Sequence, residues 1–404
     1  MAATMAEIAR SNTWVRSPLW DGVWMLNALW LVPLALWLAH GYPNPESSSL
    51  DSLYCVLTAL FWIGHRFSSA WLAYATEAYR PLLRSAPLRF VGWPLLVASV
   101  CFAVFLPADG ALPWTREERL VVMAIVDYAW GTYHFAGQHF GALSIYRTRA
   151  ERGSCAYARR LDWVFALGVG GALVFLADIL AGSVAYQDRW IGVSALASWI
   201  AAKQAGIREV ALAILLLATS LALAVEARAP RCSLPRVLYV LGLAAMVAIA
   251  LQPRSLFLFL VVWTSQHWVL AMALASQVPG AEPTPSSGVV RRLLHNVNAR
   301  PWAIVLILVV GSVLLLPVFE VEELAGRNGA AYADRIYGAL SEALRTSSWL
   351  PALVAAGFAT GFVHYLLDRN IYRMSDPRVR DAARGLLESR GRHAQPGPFM
   401  TGTC

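Results

Sequence analysis

The sequence predicts an all-α, polytopic transmembrane helix bundle of about ten spans with both termini cytoplasmic. Three observations predict it. The chain is 58% hydrophobic and only 14% charged, where a soluble domain carries about a quarter of its residues as Asp, Glu, Lys and Arg. Its apolar runs recur at about 20 residues, the length that crosses a hydrocarbon core of about 30 Å. The segments between those runs alternate between Arg-rich and neutral or acidic, as the positive-inside rule requires. No extramembrane stretch is long enough for a separate enzyme domain, which excludes a Rossmann domain, a P-loop ATPase module and a secreted disulfide scaffold.

The spans are expected at 20–40, 52–78, 90–108, 119–145, 161–182, 207–226, 236–251, 255–277, 302–319 and 349–372. Arg10 and Arg16 precede the first run, but LAHGYPNPESSS after it has no small-x-small cleavage pattern, so it reads as a retained helix and not a signal peptide. Arg80, Arg84 and Arg89 follow the second span, and Arg147, Arg149, Arg152, Arg159 and Arg160 the fourth. Arg228, Arg231 and Arg236 follow the sixth; Arg291, Arg292 and Arg300 follow the eighth. The intervening loops hold Glu46 and Asp51, or Glu320, Glu322, Glu323 and Asp334. Segment 189–204, short and more polar, reads as an interfacial helix, and QVPGAEPTPSSG at 277–288 as a flexible linker. Residues 1–376 form the helical domain, and 377–404 a basic cytoplasmic tail, partly disordered. Trp14, Trp20, Trp114, Trp190, Trp302 and Trp349 at span ends suit interfacial anchoring.

This distribution explains the net charge of +8. It is a sidedness signal, with no nucleic-acid partner implied. Cys55, Cys101, Cys155, Cys232 and Cys404 have no metal-ligand spacing and indicate no disulfide framework.

Of the eight histidines, His40, His295 and His393 fall outside the spans, while His65, His134, His139, His267 and His364 fall inside. Ionisable groups at membrane depth are costly and face a bundle interior, a partner or a site. His65 lies about 13 residues into its span, His134 and His139 about 15 and 20, His267 about 12 and His364 about 15, at about 1.5 Å per residue. Because these four spans run the same way, the imidazoles share a layer from mid-membrane towards the cytoplasmic face. That is the geometry for a metal held in a helix bundle.

Asp127, Gly131, His134 and Gln138 fall on one helical stripe, with His139 about 140° from His134. His364 and Asp368 are i and i+4 on one face, two ligands or a ligand with its orienting carboxylate. Gln266 stands beside His267 and Arg66 beside His65. The ligands are therefore drawn from His65, His134, His139, His267, His364 and Asp368, with Asp127, Gln138 and Gln266 as supporting or proton-handling groups. Each residue also has a plainer reading. A lone intramembrane histidine is more often a helix-to-helix hydrogen-bond partner than a ligand, Asp127 suits an ion or proton site equally well, and Glu77 and Asp178 near span ends suit pairing with Arg.

Imidazoles with one or two carboxylates and no thiolate cluster suit iron, as one or two non-haem ions, ahead of zinc or copper. The pattern of His65, His134, His139, His267 and His364 resembles the histidine-rich integral membrane oxygenases. These include the fatty-acid desaturases and alkane hydroxylases and, separately, the bacterial carotenoid-cleaving Brp/Blh-type proteins. The desaturase group carries HxxxH and HxxHH boxes, where this chain has the HxxxxH of His134 and His139. The resemblance implies oxidation of a hydrophobic or lipid-like substrate within the membrane. The position of the histidine layer towards the cytoplasmic side predicts a soluble electron donor at that Arg-rich face, and a bacterial inner membrane is the expected location. Two other classes fit parts of the pattern. A haem-binding electron-transfer protein would use histidine pairs as axial ligands, and an ion- or proton-coupled transporter would use Asp127 with the histidines.

Overall fold

The computed structural model describes residues 13–40, 48–150, 156–182, 194–229, 232–252, 256–278, 288–319 and 336–383. Among them the regular structure is entirely helical. Five segments are long and apolar enough to cross a membrane: Leu88–Phe105, Ala158–Ala177, Ala202–Ala227, Pro301–Phe319 and Leu350–Ile371. Their outward faces are apolar, with Leu95, Leu216, Leu217 and Leu314 all more than 60% exposed. Exposed apolar surface on this scale belongs against lipid and marks a membrane protein.

The chain divides into two compact units, one of residues Met1–Tyr54, Phe135–Leu270 and Leu387–Cys404, the other of Cys55–His134 and Ala271–Leu386. The divisions at 134 and 270 fall inside single helices, α7 (Arg116–Arg149) and α12 (Leu256–Gln277).

In the first unit, α1 (Pro18–Val23) starts where the sequence signals it, with Pro18 in the first turn and the Ser17 side chain accepting from Trp20 N at 3.1 Å. After α2 (Ala28–His40) and the first turns of α3 (Ser48–Leu57) come the end of α7, then α8 (Ala156–Leu167) and α9 (Leu173–Gly182), joined by the π-turn Gly168–Ala172. They are followed by α10 (Ser194–Ala227), α11 (Leu234–Ala250) and most of α12. Helix α11 packs on α2 and α10. Gly242 permits the first approach, because a Cβ there would stand 3.3 Å from that of Ala28. Four buried charges link α7, α8, α10 and α11: Arg147 pairs with Asp162, which also meets Arg236, and Arg236 reaches Glu226. Asp21, fully buried, accepts from Val15 N at 2.8 Å, Arg16 N at 3.0 Å and the Tyr146 hydroxyl at 3.1 Å.

The second unit holds α4 (Ile63–Ala75), α5 (Arg80–Ser85), α6 (Trp93–Phe105) and the first half of α7. It continues with the end of α12, then α13 (Val289–Asn298), α14 (Pro301–Phe319), α15 (Ala339–Arg345), α16 (Leu350–Ile371) and α17 (Pro377–Ala382). Helix α16 packs on α6 and α4, and α14 on α4. The α6–α16 seam is aromatic, with Phe105 and Phe358 stacked at 5.3 Å beside Cys101, Val354 and Phe362. At the α4–α14 seam a Cβ on Gly64 would lie 2.5 Å from Leu308 O, so only glycine lets the backbones meet.

The expected interfacial helix at 189–204 is not separate: from Ser194 it is the first part of α10, and 183–193 lie outside the described residues. Trp302, Trp349 and Trp114 are exposed as anchors should be. Trp14 is instead buried, its carbonyl accepting from Arg149 at 2.8 Å. Cys55, Cys101 and Cys232 form no disulfide among the described residues, and Glu77 pairs with Arg80 at 2.7 Å. Cys155, Cys404, Trp190, His393, Glu46, the acidic 320–334 loop, the Asp178 side chain and most of the linker and tail lie outside the described residues.

Candidate metal centre

In the second unit, three helices bring buried polar groups together. Helix α4 begins directly after a π-turn, Thr58–Trp62, a distortion that recurs at functional sites. The His65 ring bonds the Trp62 carbonyl at the end of this π-turn through Nδ1. Such a bond to a carbonyl requires Nδ1 to carry the proton, so Nε2 of His65 keeps its lone pair.

One turn further along α4, Ser69 is fully buried and bridges two residues of α16. Its hydroxyl donates to Asp368 Oδ1 and lies 2.7 Å from His364 Nδ1. A hydroxyl has one proton; since Asp368 receives it, the second bond requires His364 Nδ1–H as donor. The His364 tautomer is thereby fixed with the Nε2 lone pair available for ligation, the second-sphere arrangement common to metal-binding histidines.

Helix α7 supplies His134, whose Nε2 is 3.7 Å from Asp368 Oδ2. The rings of His134 and His65 each meet the His364 ring edge-on, with centroids 4.8 Å apart. A close approach of α7 to α16 makes this possible: a Cβ on Gly131 would stand 3.1 Å from the Tyr365 hydroxyl. One ligand atom each from His134, His364 and Asp368 lies within 4.8 Å of the others, and all three residues are buried. Donor atoms around an ion with bonds near 2.1 Å stand about 3.4 Å apart, so modest side-chain movement suffices to close the trio.

Asp127 lies one face along α7. Its Oδ1 is 3.6 Å from where a Gly361 Cβ would be, and the Arg66 guanidinium carbon is 3.7 Å from the same point. Arg66 is buried, donates to Gly357 O at 3.2 Å and sits 4.6 Å over the Trp62 ring. Carboxylate and guanidinium therefore converge on one glycine of α16. Beyond the helix ends, Tyr79 donates to Ile371 O at 2.6 Å. Burial, reinforced by the Asp368 charge, pushes the Tyr79 phenol well above its ordinary value and keeps it a neutral donor.

The other expected residues belong to the first unit. His139 Nδ1 is 2.7 Å from the Tyr239 hydroxyl, and the ring lies 5.3 Å from Trp263. It packs so tightly on the π-turn that a Cβ on Gly170 would come within 2.8 Å of its Cδ2. His267 stacks on Phe135 at 3.9 Å. Gln266 is buried, with its backbone carbonyl accepting from Asn27 at 3.0 Å. With His139 and Tyr239 it lines a cavity of about 10 Å³, space for about one water. The Gln138 amide makes no hydrogen bond among the described residues.

Thus His65, His134, His364, Asp368 and Asp127 share one unit, while Gln138, His139, Gln266 and His267 share the other. Ser69 was missed from sequence, although a signal existed: it is four residues from His65, on the same stripe of α4. No protein-family model, curated protein or solved structure matches the chain.

Proposed function

We propose that this protein is an integral membrane metalloenzyme, a non-haem iron oxygenase acting on a hydrophobic or lipid-like substrate. The observation that carries the reading is the buried trio of His134, His364 and Asp368, with ligand atoms within 4.8 Å of one another. Two histidines and a carboxylate with further positions open is the donor set of non-haem iron oxygenases. His65 supplies a further imidazole at the edge of the trio, and Ser69 holds His364 and Asp368 in their ligating forms. Zinc and copper accept the same donors less distinctively, and a haem would need no carboxylate.

Bound iron would supply dioxygen activation. For hydroxylation the balance is R–H + O₂ + 2 e⁻ + 2 H⁺ → R–OH + H₂O, with the two electrons delivered by a soluble one-electron carrier. Asp127 and Arg66, which converge on Gly361, and the His134–Asp368 contact would hold or pass protons. A site held among membrane helices would favour a substrate that partitions into lipid. In the full topology proposed here, ten spans place both termini and the Arg-rich loops on the cytoplasmic side of a bacterial inner membrane. That is the face the electron donor would meet.

Elemental analysis with an optical spectrum on detergent-purified protein tests this reading. Iron without a Soret band is expected, with metal content falling several-fold in His134→Ala and His364→Ala. A metal-free wild type, or unchanged metal in both variants, would overturn it. A Soret band would assign haem instead.

A further inference from the structure

Helix α13 has a feature that the metal centre does not use. At 100° per residue, Val289, Val290, Leu293, Leu294 and Val297 fall within about 140° of the helix circumference. The rest of the circumference carries Arg291, Arg292, His295, Asn296 and Asn298, and the helix holds no acidic residue. The apolar stripe is largely uncovered by protein: Val289 is 75% exposed, Val290 69% and Leu293 63%. Arg291, Arg292 and the following Arg300 are also exposed and make no ion pair among the described residues.

The helix is nevertheless held in place at its end. Asn298 is fully buried, accepting from Trp71 Nε1 at 3.0 Å and donating to Ala75 O at 2.9 Å. Both partners belong to the last turns of α4. Val297 packs against Met272, Ile304 and Leu308. Only Ala299 and Arg300 separate α13 from the membrane-crossing helix α14. The amphipathic helix is therefore fixed at the level where α14 enters the bilayer.

We propose that α13 lies in the membrane interface, its Val289–Val290–Leu293 stripe inserted at the acyl boundary and Arg291, Arg292 and Arg300 bound to anionic phospholipid headgroups. An apolar face this exposed, flanked by uncompensated arginines and tied to a span, matches a lipid surface in both polarity and charge. Through Asn298 the lipid-bound helix also braces the end of α4, the helix that carries His65 and Ser69.

Hydrogen exchange of the full chain in lipid nanodiscs tests this. Amides of 288–299 should exchange roughly tenfold more slowly in discs of phosphatidylcholine with phosphatidylglycerol than in phosphatidylcholine alone. Arg291→Gln with Arg292→Gln should remove most of that difference while exchange in α16 stays unchanged. Leu293→Ser should speed exchange in both lipids. Equal exchange in the two lipids for the wild-type chain would overturn the proposal without recourse to any variant. So would protection that appears only in discs holding two copies, which would assign the stripe to self-association. Neither result depends on metal content, so this proposal and the metalloenzyme reading fail separately.

Discussion

Ser69 and His364 are joined by a 2.7 Å contact between hydroxyl and Nδ1, and the same hydroxyl serves Asp368. A small, uncharged side chain on one helix thus sets the proton positions of two candidate ligands on another. Ser69→Ala should lower metal affinity about 10- to 100-fold while leaving the helical content unchanged. Ser69→Thr, which keeps the hydroxyl, should recover part of the loss. Competition with a chelator of known affinity measures both; identical curves for wild type and Ser69→Ala would show that the hydroxyl has no positioning role.

Gly64 tests the packing that places α4. Alanine there meets the Leu308 carbonyl oxygen at 2.5 Å, a backbone atom that cannot swing away. Gly64→Ala should destabilise by about 1–3 kcal/mol. Gly137 has nothing within 4 Å of its Cβ position, so Gly137→Ala should be neutral or stabilising by up to about 1 kcal/mol. Unfolding in mixed detergent micelles compares the two, and equal effects would contradict the assigned helix contact.

The charge network of the first unit should be sensitive to the loss of one member. Arg236→Leu takes the arginine from the buried Glu226 and leaves Asp162 with Arg147 alone, and removing one partner of such a pair costs about 3–5 kcal/mol. Arg345→Leu, which breaks an ion pair with the well-exposed Glu342, should change stability by less than about 1 kcal/mol. The same unfolding assay decides; a mild effect at Arg236 would mean the network is hydrated.

A pH dependence follows from Asp376, beyond the last span. Burial pushes its carboxyl up, but the Arg89 hydrogen bond, the Arg378 backbone N–H and the Arg89 charge prevail and hold it below the usual carboxylate range. In the unfolded chain it titrates near about 3.9, so the folded state holds fewer protons around that pH. Its contribution is fully present above the unfolded value and lost as pH falls through the lower folded value. Unfolding midpoints measured from neutral pH down to about 3 should fall less steeply in Arg89→Gln and in Asp376→Asn than in the wild type. Curves parallel to the wild type would remove this pair from the acid response.

Much of the candidate site was legible in the sequence because burial of charge in lipid is costly enough to single out a few residues. His364 and Asp368 share a face by simple spacing, and Asp127, Gly131 and His134 do lie along α7 where it meets α16. Depth, however, does not fix direction or neighbourhood. His139, at similar depth, takes Tyr239 and the Gly170 turn as partners. Ser69 was overlooked because serine in an apolar helix is ordinary; only the pairing of α4 with α16 reveals that its hydroxyl serves two residues. The π-turns at Thr58–Trp62 and Gly168–Ala172 carry no clear marker in composition. The spans 52–78 and 119–145 are helical, but they stand outside the five segments apolar enough to cross a membrane by composition alone. Their polarity comes in part from His65, Arg66, Asp127, His134, Gln138 and His139.

The second unit is discontinuous along the chain, and that imposes an order on its birth. His65 and His134 leave the ribosome early, whereas His364 and Asp368 follow roughly 230 residues after His134. At bacterial and eukaryotic synthesis rates that interval lasts on the order of ten to fifty seconds. During it, residues 135–270 of the first unit are made and inserted. Until then only His65 and His134 of the candidate set are present, and the trio closes only when α16, almost the last described helix, arrives. Loading of the proposed metal would for this reason follow synthesis of α16, and a chain truncated before α16 would lack His364 and Asp368.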